Sequence, residues 1–320
     1  MSTSNLLSPA AEVPRAQHRP DIDGLRAVAV SLVVIYHLGI AASGGFVGVD
    51  VFFVISGFLI TAILRRELSN GTFSVWRFYQ RRARRILPAL VVMLVAVSLA
   101  GAGLLLPGAY AGFGGSLVAT ALFASNLWFW QHAGYFAASA DALPLLHTWS
   151  LGVEEQFYLL FPVALLLLHR TMARYTEAAL AGATLLSLIA SVWWLPHDSS
   201  GTFYVLPTRL WELMLGSLLS APALPVLRRP WLAELAAALG VLLMLAAAFG
   251  YDKTTPFPGI AALVPVLGAA LVLQAGLQAR PLASRLLELK PMVFIGQISY
   301  SLYLWLSLIH ISEPTRRRGI

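Results

Sequence analysis

The sequence predicts an all-α fold, a polytopic transmembrane helical bundle of about nine to ten membrane segments with one segment read as re-entrant. Three observations carry that prediction. Hydrophobic residues make up 58% of the 320-residue chain and charged residues 12%, against roughly 45–50% and about 25% in an ordinary soluble domain. Apolar runs recur along nearly the whole length, and the mean hydropathy is +0.75. Lys and Arg gather in short stretches between those runs, which is how a membrane protein marks its cytoplasmic loops. The net charge of +7 is therefore assigned to the bilayer faces, and no nucleic-acid partner is expected.

A crossing needs about 20 mostly apolar residues. In order, the candidates are 25–41, 47–64, 87–106, 113–131, 149–168, 175–195, 204–221, 232–250, 258–276 and 292–310. Residues 1–20 lack the short apolar core of a cleaved signal peptide; residues 1–24 read as a cytoplasmic N-terminal tail, with 25–305 forming one transmembrane domain. With no cysteine, disulfides and Cys-based metal sites are excluded.

Orientation follows from the basic residues. Arg15 and Arg19 precede the first span, and Arg65, Arg66, Arg77, Arg81, Arg82, Arg84 and Arg85 follow the second. Both stretches are expected on the cytoplasmic side, as is the stretch with Arg170 and Arg174. An even number of crossings must then separate residue 86 from Arg170, yet three apolar runs lie between. The run 113–131, with Asn126 and neighbouring glycines, is the one expected to be re-entrant, since broken segments persist where they line a protein-enclosed cavity.

Titratable residues inside apolar runs are costly and call for a reason. Arg26 and His37 in RAVAVSLVVIYH stand eleven residues apart, which on a helix is about three turns plus 20°, one face, and about 16 Å along the axis. Snorkelling and an interhelical hydrogen bond would explain them blandly; a histidine that takes and returns a proton would explain them chemically. Asp50 follows Gly44, Gly45 and Gly48, glycines that permit close backbone approach, and a structural helix-end role suits it better than catalysis. FYQRRARRILP holds two overlapping Arg-x-x-Arg pairs. Guanidinium groups match phosphate geometry, so Arg81, Arg82 and Arg85 are candidates to hold a phosphorylated donor, beside the plain positive-inside explanation.

LLHTWSLGVEEQFYLLFP places Glu154 and Glu155 side by side in an apolar run. At least one should face the interior, to orient His37 or hold an acceptor hydroxyl. His147 and Ser150 just before them are weaker candidates. Arg209 and Glu212, a turn apart, read as an internal ion pair. The seven scattered histidines lack metal-ligand spacing, so no metal is expected. Ser56 in ISGF is not a nucleophile-elbow serine.

DGLRAVAVSLVVIYH, GGFVGVDVFFVISGFLIT, FYQRRARRILP, HTWSLGVEEQFYLLFP and ISYSLYLW, in this order, resemble the acyltransferase-3 family of integral-membrane O-acyltransferases. The resemblance spans residues 21–305. It implies transfer of an acyl group, acetyl being expected, from cytoplasmic acyl-coenzyme A to a hydroxyl of a cell-surface carbohydrate or glycolipid, in the inner membrane of a bacterium. By it, Arg26 and His37 match the Arg-x10-His motif, with His37 as base or acyl relay. Arg82 and Arg85 match the Arg-x-x-Arg feature, and Glu154 falls on the carboxylate of the fifth-span motif. After SYSLYLW the family continues with His-Trp-Pro and a further span, whereas LSLIHISEPTR here resembles a translated sequencing adapter. Residues 306–320 are therefore expected to be a non-native tail, and the domain incomplete.

The alternative reading is a proton-coupled transporter or flippase of a carbohydrate or lipid-linked substrate, with Arg26, His37 and the glutamates as its pathway. The lack of an inverted repeat and the Arg-rich stretch favour the enzyme. A proton-gradient requirement without acyl-coenzyme A turnover would favour the transporter. A purely structural or sensory protein leaves the titratable residues without a purpose.

Overall fold

The structure, a computed structural model, describes residues 18–105, 107–136, 143–221, 227, 229–277 and 280–308. Thirteen α-helices make up the described regular structure together with short 3-10 turns, and no strand occurs among the described residues. They are α1 (Pro20–His37), α2 (Gly48–Ser69), α3 (Val75–Leu104), α4 (Pro107–Ala121), α5 (Ser125–Phe136), α6 (Trp149–Thr171) and α7 (Thr176–Trp194). The rest are α8 (Ser199–Tyr204), α9 (Leu206–Leu219), α10 (Pro230–Gly250), α11 (Leu263–Ala275), α12 (Leu282–Leu287) and α13 (Lys290–Leu304).

Among the described residues, five stretches are long and apolar enough to cross a membrane: Gly45–Ser69, Val75–Leu104, Leu146–Thr171, Ala173–Trp194 and Pro230–Gly250. That is fewer than the nine to ten expected from apolar runs, for identifiable reasons. Asp21, Asp23 and Arg26 interrupt α1, while α9, α11 and α13 are only 14, 13 and 15 residues long.

α13 runs beside α1 in the same sense, with Gly296 against Asp23. α9 runs with α2, Arg209 bonding Asp50 and Ser217 bonding the Gly57 carbonyl. α10 and α11 pack antiparallel through Gly240 and Gly268. Polar bonds gather the basic ends of the helices at one end of the bundle. Arg65 at the end of α2 pairs with Glu177 at 2.6 Å, Arg81 pairs with Glu67 at 2.7 Å, and Arg19 reaches the Leu273 carbonyl at the end of α11 at 3.5 Å.

Close approach of α1 and α2 depends on the glycines of GGFVGVD. A Cβ at Gly45 would collide with the carbonyl oxygen of Leu32, and one at Gly48 with that of Ala29. Such small-residue contacts let membrane helices pack backbone to backbone.

Three segments differ from the sequence expectation. α1 ends at His37 rather than at 41, so residues 38–44 form a loop. The Arg-rich stretch expected as a loop is instead the first turns of α3. Its residues favour helix, and Ser74 caps the start by accepting from the Arg77 N–H. The run 113–131 is two antiparallel helices, α4 and α5, which turn at Leu122–Ala124, where Phe123 has φ +55°. Gly115 on one arm faces the Trp128 indole on the other.

Leu122 at the hairpin turn is exposed, but Ser125 and Asn126 just after it are buried, and polar groups there need partners. Gln156 on α6 donates to the Phe123 carbonyl at 3.1 Å and to Asn126 at 2.8 Å, and Asn126 donates to the Tyr204 carbonyl at 3.1 Å. Of the expected non-native tail, Leu306–Leu308 follow α13, with Leu306 and Ser307 buried. Residues 309–320 and 1–17 lie outside the described residues, Arg15 among them.

Candidate active site

Two cavities follow one another along α1. The inner one, about 150 Å³, lies toward the basic end and is lined by Arg26, by Ser56 of α2, by Arg82 and Arg85 of α3, and by Ser150, Glu154, Glu155 and Tyr158 of α6. Ser299, Tyr300 and Tyr303 of α13 and an apolar wall with Phe52, Ile55 and Leu59 complete it. The outer cavity, about 1570 Å³, is formed at the other end of α1 by His37, the loops after α1, α7 and α10, and the start of α6.

Helical spacing puts Arg82 and Arg85 on one face of α3, three residues apart. The Arg82 guanidinium lies over the Tyr158 ring at 4.5 Å. Arg81 points elsewhere and is occupied by Glu67, so the structure brings Arg82 and Arg85 together with Arg26 and leaves Arg81 outside the cavity. Glu154 accepts hydrogen bonds from the hydroxyls of Ser56 and Tyr158. It thus ties α6 to α2 inside the inner cavity. That neighbourhood differs from the sequence expectation in one respect: Glu154 sits with Arg26, while the His37 ring is oriented by its own helix. Glu155 lines the same cavity, giving three guanidiniums and two carboxylates there.

His37 is the last residue of α1. Its Nδ1–H donates to the Val33 carbonyl at 2.7 Å. Since a carbonyl only accepts, that bond fixes the neutral tautomer in which Nε2 carries the basic lone pair. The Tyr36 ring stands edge-on to the imidazole at 5.2 Å. Aromatic side chains of Phe46, Trp149, Phe203, Tyr204 and Phe257 line the same cavity. At its rim the Asp252 carboxyl is held below the usual carboxylate range by the Thr254 hydroxyl and N–H, at 2.6 and 2.8 Å.

Asp50 and Arg209 form the floor of the outer cavity. Arg209 Nη2 lies 2.8 Å from Asp50 Oδ1 and 3.2 Å from Glu212 Oε2, with all three residues fully buried. The rings of Phe53, Trp149, Phe203 and Phe257 surround the guanidinium at 5.4–5.7 Å. Asp50, in the first turn of α2, is therefore the buried partner of Arg209. His147 borders the outer cavity and Ser150 the inner one; both meet Tyr303, whose hydroxyl donates to the His147 carbonyl and pairs with Ser150 Oγ, each at 2.6 Å.

Sequence reasoning weighed Ser56 only as a nucleophile and passed over Tyr158 and Tyr303. Tyr158 carries a legible signal, four residues after Glu154 on a helix. Ser56 and Tyr303 reach the site from other helices, so spacing along the chain gives no hint of them. No cluster of metal-ligating side chains occurs among the described residues.

A family model described as an acyltransferase domain matches residues 19–311. The chain is similar to peptidoglycan O-acetyltransferase OatA of Listeria monocytogenes, with 34% identity covering 94% of this chain and 52% of that protein. O-acetyltransferase OatA of Staphylococcus aureus is 34% identical over 90% of this chain and 50% of its own length. A Komagataeibacter xylinus protein whose name describes a membrane-bound transacylase, BcsY, is 36% identical over 90% of this chain and 72% of its own. The chain spans about half the length of the two O-acetyltransferases it matches. No solved structure matches.

Proposed function

The chain belongs to the acyltransferase domain family, and from that premise we propose that it is a membrane O-acetyltransferase carrying an acyl group from acyl-coenzyme A to a carbohydrate hydroxyl. The donor enters from the basic end. Arg26, Arg82 and Arg85 hold its phosphates, and the apolar wall of the inner cavity takes the pantetheine arm. The acceptor sits in the outer cavity, where aromatic rings offer faces to a sugar.

His37 acts as general base. Its Nε2 takes the proton as the acceptor oxygen attacks the thioester carbonyl; the C–O bond forms, the C–S bond breaks, and the proton passes to the departing thiolate. Glu154, held by Ser56 and Tyr158, positions Arg26 beside the donor. Acetyl is the chain we favour, because relatives named as O-acetyltransferases align over most of this sequence.

The single observation that supports the reading is the arrangement along α1: a guanidinium-lined cavity at one level and a histidine-lined cavity about 16 Å further along the helix. A donor bound on one side and an acceptor on the other need that arrangement. We further propose nine crossings, α4–α5 being a re-entrant hairpin and α8–α9 one crossing. The basic end then faces the cytoplasm of a bacterial cell, with the protein in its inner membrane.

The test uses the chain in lipid nanodiscs with acetyl-coenzyme A and cell-envelope glycan, following coenzyme A release. His37→Ala should slow release by about 10²–10⁴-fold, the usual contribution of a general base, with donor binding retained. Unchanged release in that variant would refute the role of His37. Donor binding without any release in the wild type would refute the acyl-transfer reading, and proton-driven glycan movement in its place would establish a transporter.

A further inference from the structure

Two side chains, Val49 and Tyr303, line both cavities. Tyr303 lies in the last turn of α13. Its phenol has one proton, which goes to the His147 carbonyl at 2.6 Å, so Ser150 Oγ, also at 2.6 Å, donates to the phenol oxygen. The ring stands edge-on to Phe52, a wall of the inner cavity, at 6.4 Å, and to His147, a wall of the outer cavity, at 5.4 Å. It is therefore wedged between one ring of each chamber and pinned at its tip.

We propose that Tyr303 is a specificity-determining residue of the transfer, a partition that keeps outer-cavity water from the donor thioester and limits the length of acyl chain that reaches His37. The proposal rests on the acyltransferase reading above. A thioester waiting in the inner cavity is lost if water reaches it before an acceptor does, and excluding water from reactive groups is a general function of closed sites. The outer cavity is large and bordered by loops, hence wet. The inner one is about a tenth of its size. With the phenol ring at the neck, a short acyl group meets little resistance, and a long one meets the ring.

The test measures coenzyme A release without any acceptor, using the full chain in nanodiscs with acetyl-coenzyme A and octanoyl-coenzyme A as probes. Tyr303→Ala should raise acetyl-coenzyme A hydrolysis about tenfold or more as water gains access, and should raise the octanoyl-to-acetyl rate ratio as well. Tyr303→Phe keeps the ring and should keep the ratio near wild type. A merely structural role would lower both rates together and leave the ratio alone. If Tyr303→Ala does not stay monodisperse, Val49→Ala widens the same neck from α2 and should shift the ratio in the same direction. An unchanged ratio in the folded variant would overturn the partition while leaving the acyl-transfer reading standing. A wild type that releases no coenzyme A from either probe, with or without glycan, would overturn both.

Discussion

Replacing Arg209 with Met separates structure from chemistry in this protein. Arg209 is 0% exposed, as are Asp50 and Glu212, and the two carboxylates share its Nη2 at 2.8 and 3.2 Å. Met restores most of the aliphatic volume but removes the cation in contact with both carboxylates. Breaking a buried ion pair from one side costs about 3–5 kcal/mol, because an uncompensated charge stays behind. The guanidinium also loses four ring neighbours, and a desolvated cation–π contact is worth about 2 kcal/mol. Protonation of the stranded carboxylates offsets part of this, so a net loss of about 4 kcal/mol is expected, at the upper end for single substitutions. That corresponds to a fall in melting temperature on the order of 10 °C.

The assay is thermal: heat the detergent-solubilised chain and follow the monodisperse fraction by size exclusion. A variant that also carries Asp50→Asn and Glu212→Gln removes the stranded charges and should recover most of the loss, since replacing a whole buried ion cluster is often close to neutral. Arg209→Met melting within about 2 °C of wild type, or a triple variant no better than the single one, would refute the reasoning.

Other expectations concern the inner cavity. Arg82→Ala and Arg85→Ala should each weaken donor binding by roughly tenfold or more, the loss of a charge-assisted phosphate contact. Arg81→Ala, whose guanidinium is engaged by Glu67, should leave binding near wild type; equal losses in all three, by titration calorimetry at fixed salt, would reject the assignment. Glu154→Gln keeps its shape but weakens acceptance from Ser56 and Tyr158, and should lower kcat at least about tenfold with little change in KM if Glu154 positions Arg26 for the transition state. A rise in KM alone would make it a donor-binding group instead.

Much of this was legible along the chain. The Arg26–His37 spacing fixes a common helix face whatever surrounds it, and both side chains do reach cavities. The conflict in crossing number singled out 113–131, the stretch that folds as a hairpin. Its boundaries, the helical start of α3 and the end of α1 at His37 were misjudged, because hydropathy reports apolar content and says nothing of caps or turns. The Arg-rich stretch is polar enough to pass for a loop, yet its residues and the Ser74 cap favour helix.

By itself the sequence determined the all-helical architecture, the clustering of positive charge at helix ends and the identity of the titratable residues inside apolar runs. These follow from the cost of placing charge and unpaired backbone in lipid, a cost each segment meets locally. Only the tertiary structure decided which of those residues meet. Glu154 joins Ser56 and Arg26 in place of His37, Arg81 turns away to Glu67, and Tyr303 comes from the far end of the chain to stand between two cavities. The physical reason is that side-chain partnership depends on helix rotation and close approach across interfaces, set by packing at residues such as Gly45 and Gly48, and no spacing within a single helix encodes it.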